Sequence, residues 1–370
     1  MPSVSISRDS GPGPRLFFVS RSYPPVRGGM ELHNARLAEA LQSHFHVLPI
    51  VNPHGKRRLL PFAIKALFQL ARRLRNGDSV LFGDAASAGI APVLRSIHSG
   101  VRWYCAAHGT DVVWPPRWYQ NWLTRHVLPG LTAVIAVSHA TAKALESRGV
   151  SPDRIAIIGN GTDGIAIHDR TLAIDTVAGR FNLQLRQHNV LLSLGRLVPR
   201  KGLAWFVRDV MPNLPEDTVL LIGGEGPEQD SIAAEALRLH LRSRVHILGA
   251  ISDEDRALLY NASDAFVLPN QPTHGDIEGF GITLLEAAST GMQVVATDTD
   301  GLRDASRNGE LARLVPVGRA DAFAATLRTL ERTDEGHCAR STRIRDTVRT
   351  QCTWAMVAER YAAVLSRGDI

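Results

Sequence analysis

Between Gly275 and Thr297 the chain reads GDIEGFGITLLEAASTGMQVVAT, and two carboxylates in it, Glu278 and Glu286, stand eight residues apart. Gly279, Phe280 and Gly281 separate the first carboxylate from an apolar run that closes before Gly291. This order predicts a loop, a helix reaching about Ser289, a turn at Gly291 and a buried strand marked by Val294 and Val295. Glu278 then precedes a helix N-terminus, and Glu286 lies about one to two turns inside the helix. Free N–H groups at a helix start attract anions. A carboxylate accepts two hydrogen bonds at once, which suits vicinal hydroxyls. The pair therefore matches a molecule with hydroxyls at both ends and phosphate in its middle, which is the form of a nucleotide-sugar. A capped helix carrying two solvated glutamates gives the same spacing, so other stretches have to decide.

Arg196 and Lys201 supply the complementary charge. They lie in Gly195-Arg-Leu-Val-Pro-Arg-Lys-Gly202, directly after the apolar run Val190–Leu194. A planar guanidinium fork beside an ammonium point charge suits a diphosphate; a basic surface turn is the plain alternative. His108 opens His108-Gly-Thr-Asp111 after the run Arg102–Ala107. Residues at the C-terminal ends of parallel strands line the crevice of a doubly wound sheet. The run Arg15–Ser20 feeds a loop that ends in Gly28 and Gly29, ahead of a helix from about Met30 to Leu41. That is a phosphate cradle in form, although it is neither a G-x-G-x-x-G nor a Walker A sequence, and an ordinary left-handed turn fits it as well.

The elements that hold these residues alternate strand and helix along the whole chain. Further strands are expected at Phe45–Val51, Ser79–Phe82, Ala133–Val137, Ile155–Asn160, Thr218–Ile222, Val245–Leu248 and Ala265–Leu268. Ser138 reads as the N-cap of the helix after Val137. The final helices fall near Asp321–Leu330 and Trp354–Ser366. The pattern restarts after a less regular stretch, which divides the chain into domains at 1–180 and 181–352, with a helix at 353–370 packing back toward the first. This is an α/β protein of two Rossmann-like, doubly wound parallel-sheet domains. At 370 residues it has room for two cores.

The formal charge of +6 is unevenly spread: residues 1–180 carry 21 Lys and Arg against 11 Asp and Glu, and residues 181–370 carry 21 against 25. A basic first half expects an anionic partner. Its most basic stretch, 56–75, forms an amphipathic helix with Leu60, Ile64, Leu67, Ala71 and Leu74 on one face. Such a helix can lie on an anionic membrane or pack on the sheet with its basic face solvated. Three scattered cysteines exclude a disulfide framework and a Cys-based zinc site. The N-terminus has no apolar signal core, and no apolar run approaches a membrane span. The expected location is the cytoplasm, with peripheral contact to the inner face of a membrane.

Taken in order, Pro24-Pro-x-x-Gly-Gly-x-Glu31, His108-Gly-Thr-Asp111, Gly195-Arg196 with Lys201-Gly202, Gly224-x-Gly226-Pro227, and Glu278-Gly-Phe-Gly with Glu286 resemble the retaining glycosyltransferases of family 4, of GT-B fold. The resemblance runs from Arg15 to the C-terminus. It implies an acceptor-binding first domain and a nucleotide-sugar-binding second domain. Gly28 and Gly29 would face the donor diphosphate, and His108 would contact the donor sugar. Arg196 and Lys201 would bind the diphosphate and neutralise the leaving nucleotide. Glu278 would hold sugar hydroxyls, while Gly279, Phe280, Gly281 and Ile282 would present backbone N–H groups. Glu286 would hold the ribose, and Ile247 and Leu248 would line the base pocket. The resemblance further implies transfer of a mannose- or glucose-like unit to a glycan or lipid-linked acceptor, in bacterial polysaccharide or glycolipid synthesis. No cofactor, no metal and no nucleic acid would take part. The Asp276-Ile-Glu278 form of the loop looks most like relatives that build mannolipids and envelope polysaccharides.

Two departures stand out. Where relatives carry Gly-Gly and then Pro-Glu, this chain has Asp298-Thr-Asp-Gly-Leu-Arg-Asp304, and Met292 stands where relatives have proline. Asp298-x-Asp300 imitates the metal motif of the other glycosyltransferase fold, and is read here as a loop. Three rival readings are a nucleotide-sugar 2-epimerase on the same plan, a dinucleotide-dependent dehydrogenase prompted by Ile222-Gly-Gly-Glu-Gly-Pro227, and an inactive nucleotide-sugar-binding scaffold.

Overall fold

The computed structural model describes residues 13–26, 28–330 and 335–367. It contains two compact units. The first comprises residues up to 136, 144–158 and the C-terminal segment from 354; the second comprises 137–143 and 159–353. The chain runs β1 (Arg15–Ser20), α1 (Gly29–Ala40), β2 (His46–Val51), α2 (Leu59–Arg73), β3 (Ser79–Phe82), α3 (Ala91–Arg95), β4 (Arg102–Ala107), α4 (Thr110–Val113), α5 (Arg117–Trp122), β5 (Ala133–Ala136), α6 (His139–Glu146) and β6 (Ile155–Ile157). It continues through α7 (Arg170–Phe181), β7 (Asn189–Leu194), α8 (Leu203–Trp205), β8 (Thr218–Gly223), α9 (Gln229–Arg238), β9 (Val245–Gly249), α10 (Asp253–Ala262), β10 (Ala265–Leu268), α11 (Ile282–Ser289) and β11 (Gln293–Thr297). The last elements are α12 (Asp300–Ala305), β12 (Arg313–Val315), α13 (Ala320–Arg328), α14 (Glu335–Gln351) and α15 (Trp354–Ser366).

Each unit holds one parallel six-stranded sheet. The first has strand order β2-β1-β3-β4-β5-β6, and the second β12-β11-β10-β7-β8-β9. Strands covered on both faces must be apolar throughout, and β3, β5 and β10 are buried at every position. The order reverses between β1 and β3 in the first sheet and between β7 and β10 in the second. Crevices open beyond the C-terminal ends of strands at such reversals. The loops after β1, β3, β7 and β10 are therefore where each unit can hold a ligand, and the Arg21–Asp84 and Lys201–Glu278 pairs described below join them.

The amphipathic helix differs from expectation. α2 buries Phe62, Ala66 and Leu70, followed by Leu74, and leaves Leu60 and Ile64 exposed. The sequence holds two apolar stripes about a third of a turn apart, and the sheet takes the one that carries Phe62. The C-terminal α15 completes the first unit. Its Trp354, Val357, Tyr361 and Leu365 share a core with Leu37 and Leu41 of the α1 segment and Tyr104 of β4. Among the described residues no helix is long and apolar enough to cross a membrane.

Candidate functional site

In the second unit, four glycines fix the loops. The loop after β7 lies against the loop after β8 through backbone bonds from Gly195 N to Gly223 O (3.0 Å), Leu197 N to Glu225 O (2.9 Å) and Glu228 N to Leu197 O (3.0 Å). A Cβ at Gly224 would fall 1.9 Å from Gly195 O, and one at Gly226 2.2 Å from Leu197 O. The glycines that suggest a dinucleotide fingerprint thus serve close packing of two loops. Gly202 closes a short turn with φ 65°, where its Cβ would meet Pro269 O at 2.1 Å. Gly301 backs the loop before α11: its N–H donates to Glu278 O at 3.0 Å, and a Cβ there would lie 2.2 Å from Gly279 O.

These constraints bring Lys201 and Glu278 together. Oε2 of Glu278 accepts from Lys201 Nζ at 2.5 Å and from Asn270 Nδ2 at 2.8 Å, and it also pairs with Nη1 of Arg200. Nε of Arg200 reaches Asp276 Oδ1 at 3.1 Å, and its carbonyl accepts from Gln271 N at 2.9 Å. Burial raises the pKa of Glu278, but Lys201, Arg200 and the Asn270 amide outweigh it and hold the carboxyl at about 2. The group is ionised at every physiological pH. Arg200 and Asn270 were not singled out from the sequence. Arg200 is adjacent to Lys201, and only the fold turns it onto the loop after β10.

The remaining expected residues of this unit lie apart from that cluster. Arg196 is exposed, and its side chain has no partner among the described residues. Glu286 is buried within α11, where Oε1 accepts from Arg256 Nη1 at 3.0 Å and Oε2 from Tyr260 Oη at 2.9 Å. Burial raises its pKa, and Arg256 and Tyr260 offset this only in part. Arg256 and Tyr260 also went unmarked in the sequence, although their i,i+4 spacing on α10 puts both on one helical face. The ring of Phe280 enters the core, while Gly281 (φ 92°) caps α11 with no side-chain bond to the first-turn N–H groups. Ile282 begins that helix. Gly279 packs against Gly301. Ile247 and Leu248 are half-buried on β9, at the sheet edge two strands from β7. Asp298 pairs with Arg303, and its backbone N–H bonds Val315 O at 2.7 Å.

In the first unit, a second polar cluster occupies the strand ends at the reversal between β1 and β3. Asp84 is fully buried; it accepts from Arg21 Nε at 2.8 Å, from Ser87 N at 2.9 Å and from Ser87 Oγ at 2.7 Å. Asn34 of α1 donates to Ser20 Oγ at 2.9 Å and to Ser22 O at 3.0 Å. His108 is buried, its backbone N–H bonds Asp111 Oδ1 at 2.8 Å, and its Nε2 lies 2.9 Å from Gly83 O. A carbonyl only accepts, so Nε2 donates to it and Nδ1 is the ring nitrogen not engaged by that bond. His33 meets the His108 ring edge-on, with centroids 4.5 Å apart. Burial raises the pKa of Asp111 even though His108 and two backbone N–H groups oppose the shift. Gly28 is extended (φ 168°) ahead of α1, whose first residue is Gly29, and Leu32 N bonds Gly28 O at 3.0 Å.

Both units fall within known families. A sequence family described as Glycosyltransferase Family 4 matches residues 27–164, and one described as Glycosyl transferases group 1 matches residues 179–346. The chain is 30% identical over 335 residues to the phosphatidyl-myo-inositol mannosyltransferase of Mycobacterium tuberculosis, with 82% of each chain covered. It is 24% identical over 384 residues to the GDP-mannose-dependent alpha-(1-6)-phosphatidylinositol monomannoside mannosyltransferase of the same species, covering 96% of this chain and 98% of that one. Among solved structures, Anabaena Alr3699/HepE in complex with UDP-glucose shares the fold, with TM-score 0.77, 19% identity, and 95% and 99% of the two chains covered.

Proposed function

Because the chain belongs to glycosyltransferase family 4 and is a glycosyltransferase of GT-B fold, we propose that it moves a hexosyl unit from a nucleotide-diphosphate sugar to a hydroxyl of a glycan or lipid-linked acceptor, with retained anomeric configuration and no metal. Mannose is the favoured sugar and a phosphoinositide-type glycolipid the favoured acceptor class, because the two relatives named above are mannosyltransferases acting on such lipids. The observation that carries the donor reading is the ionised, buried Glu278 at the strand reversal, with Lys201 at 2.5 Å.

In this reading Glu278 accepts hydrogen bonds from sugar hydroxyls, and Glu286 accepts from the ribose. Lys201 has three donors, so it can keep Glu278 and still meet a phosphate oxygen. Arg196, which pairs with no acid among the described residues, meets the other phosphate. As the bond from the anomeric carbon to the phosphate oxygen breaks, negative charge grows on the diphosphate, and these fixed cations stabilise it. The acceptor oxygen bonds to the anomeric carbon from the same face, and its proton passes to the departing phosphate oxygen. Neither glutamate is then a nucleophile, in contrast to the carboxylate pair of a retaining glycosidase. His108 accepts from a sugar hydroxyl through Nδ1.

A thermal-shift panel of UDP-, GDP-, ADP- and dTDP-sugars in EDTA tests this. A donor at 100 times its dissociation constant adds about 2.7 kcal/mol of stability. The expected result is one responding nucleotide-sugar, lost in Arg196→Ala, with that variant's barrier raised by about 3 kcal/mol. A response that needs added metal defeats the metal-free reading, and inverted product configuration by NMR defeats retention. Donor consumed without an acceptor would favour the epimerase.

A further inference from the structure

The loop after β1 opens with Arg21, a residue that the function proposed above does not use. It stands at the reversal between β1 and β3, and it is fixed at three points. Its backbone N–H donates to Ser87 Oγ at 3.0 Å, its carbonyl accepts from Asn52 Nδ2 at 3.4 Å, and its Nε donates to Asp84 Oδ1 at 2.8 Å. Asp84 is itself locked, because Ser87 N donates to Oδ1 at 2.9 Å and Ser87 Oγ to Oδ2 at 2.7 Å. The carboxylate is wholly buried, whereas the Arg21 side chain keeps 24% of its surface exposed.

A sunken ion pair of this kind gains little stability by itself, because desolvating two charges cancels much of their attraction. What it gives is direction. A guanidinium carries five N–H donors in a planar fork, and the bond to Asp84 uses the one on Nε. Neither Nη atom makes a hydrogen bond among the described residues. Two of their N–H groups run parallel at the end of the fork, spaced for two oxygens of one oxyanion. An oxyanion there meets the cation at contact and Asp84 only at longer range, and Coulomb attraction falls with distance. Asp111, whose charge also reaches Arg21, has both oxygens engaged, by Ala85 N and by His108 N, each at 2.8 Å. The fork also adjoins His108. Gly83, the residue before Asp84, accepts from His108 Nε2 at 2.9 Å, and its own N–H donates to Val19 O at 2.8 Å.

We propose that Arg21 reads a phosphate of the acceptor in the first unit. Its two Nη atoms grip the phosphodiester oxygens of a lipid headgroup beside His108. Asp84 and Ser87 are positioning residues in this scheme, because they hold the fork and do not meet the headgroup. A fork fixed before the ligand arrives loses little side-chain freedom on binding. The inference rests on the lipid-acceptor reading above for the identity of the headgroup, and on the geometry of Arg21 for its phosphate.

The experiment is calorimetric titration of the full-length protein, without donor, against glycerophosphoinositol, glycerol 3-phosphate and myo-inositol at low ionic strength, with inorganic phosphate as competitor. The expected result is that both organic phosphates bind, that inorganic phosphate displaces them, and that myo-inositol gives no heat. Tighter binding of glycerophosphoinositol than of glycerol 3-phosphate assigns the site to a phosphoinositide headgroup. Equal binding of the two keeps the phosphate site and defeats the phosphoinositide reading instead. Arg21→Gln should weaken glycerophosphoinositol by about 10- to 100-fold, the scale of charged hydrogen bonds. That variant leaves Asp84 buried without its cation, so Arg21→Lys is measured beside it. The lysine keeps the charge and the fold, yet should still lose most of the affinity, because an ammonium lacks the parallel pair of donors. The melting shift given by the nucleotide-sugar should persist in Arg21→Lys. The proposal is overturned if neither organic phosphate binds, if myo-inositol binds as tightly as glycerophosphoinositol, or if Arg21→Lys binds the headgroup like the unmodified protein. Loss of the nucleotide-sugar response together with headgroup binding in Arg21→Lys overturns it as well, since Arg21 would then serve the donor.

Discussion

Burial as deep as that of Glu278 ordinarily keeps a carboxyl protonated, yet Lys201, Arg200 and Asn270 bring it to about 2. The ordinary value is 4.5, so the shift is downward, and the sign follows. The ionised pair contributes its full stability above the unfolded value and loses it as pH falls through the folded one. A shift of this size is worth about 3 kcal/mol. Glu278→Gln should therefore lower stability by about that amount at neutral pH, and the gap to the unmodified protein should close between about pH 5 and pH 2. Chemical denaturation across that window checks it; a gap independent of pH would mean that packing, not charge, holds the loop. Arg200 is a positioning residue in this scheme, because it orients Glu278 and Asp276 rather than meeting substrate. A charged hydrogen bond is worth about 1.5–3 kcal/mol, so Arg200→Ala should reduce kcat/KM by about 10- to 100-fold. Arg200→Lys should recover only part, since an ammonium cannot span both carboxylates. An effect on stability alone, with kcat/KM kept, would reduce Arg200 to a structural ion pair.

At the scale of elements, two tyrosines separate a satisfied hydroxyl from an orphaned one. Tyr104 on β4 donates to Leu365 O at 3.2 Å, whereas the buried Tyr361 hydroxyl of α15 has no partner among the described residues. Tyr104→Phe should cost about 1 kcal/mol, and Tyr361→Phe should be neutral or stabilising, because it removes a polar atom that nothing satisfies. Equal losses in a pair of thermal melts would refute the assignment. The loop before α11 offers a sharper case. Gly301→Ala forces a methyl against Gly279 O and should cost about 1–3 kcal/mol while displacing Glu278. Donor affinity should fall in the same variant. The sequence marks Gly301 only as the glycine left over from a relative's pair, and no one-dimensional spacing says that it rests on Gly279. Buried strands were legible for the opposite reason. A strand covered on both faces must be apolar at nearly every position, and β1, β3, β4 and β10 read directly. β12 has three residues and left no run to see. α14 was missed because EGHCARSTRIRDTVRTQ brings, among its described side chains, only Ile344 and Val348 into the hydrophobic core. The apolar face of α2 was misjudged because the helix has two stripes, and sequence alone does not say which one the sheet takes.

At the scale of the whole molecule, the first unit is not one continuous stretch of chain. Its sheet is complete by Ile157, but one side of its core waits for α15, about two hundred residues later. Trp354, Val357, Tyr361 and Leu365 supply that side, and they close over Leu37, Leu41 and Tyr104. The second unit has its own core, which uses β7 to β11 with α7, α10, α11 and α14 and includes nothing from α15. A chain ending at Thr353 should therefore lose the first unit selectively. Truncating one large buried aromatic costs about 3–5 kcal/mol, and this deletion removes two aromatic and several aliphatic groups from a domain whose net stability is about 5–15 kcal/mol. Limited proteolysis should digest the segment before Val137 and leave a resistant fragment that contains 159–353. The nucleotide-sugar that stabilises the full protein should still bind that fragment, only more weakly, since Lys201, Arg200, Asn270 and Glu278 all lie within it. Equal protection of both units in the truncated chain would show that α15 is peripheral to the first core. Loss of both together would show that the two units fold as one cooperative body, and that the site cannot be dissected by cutting the chain.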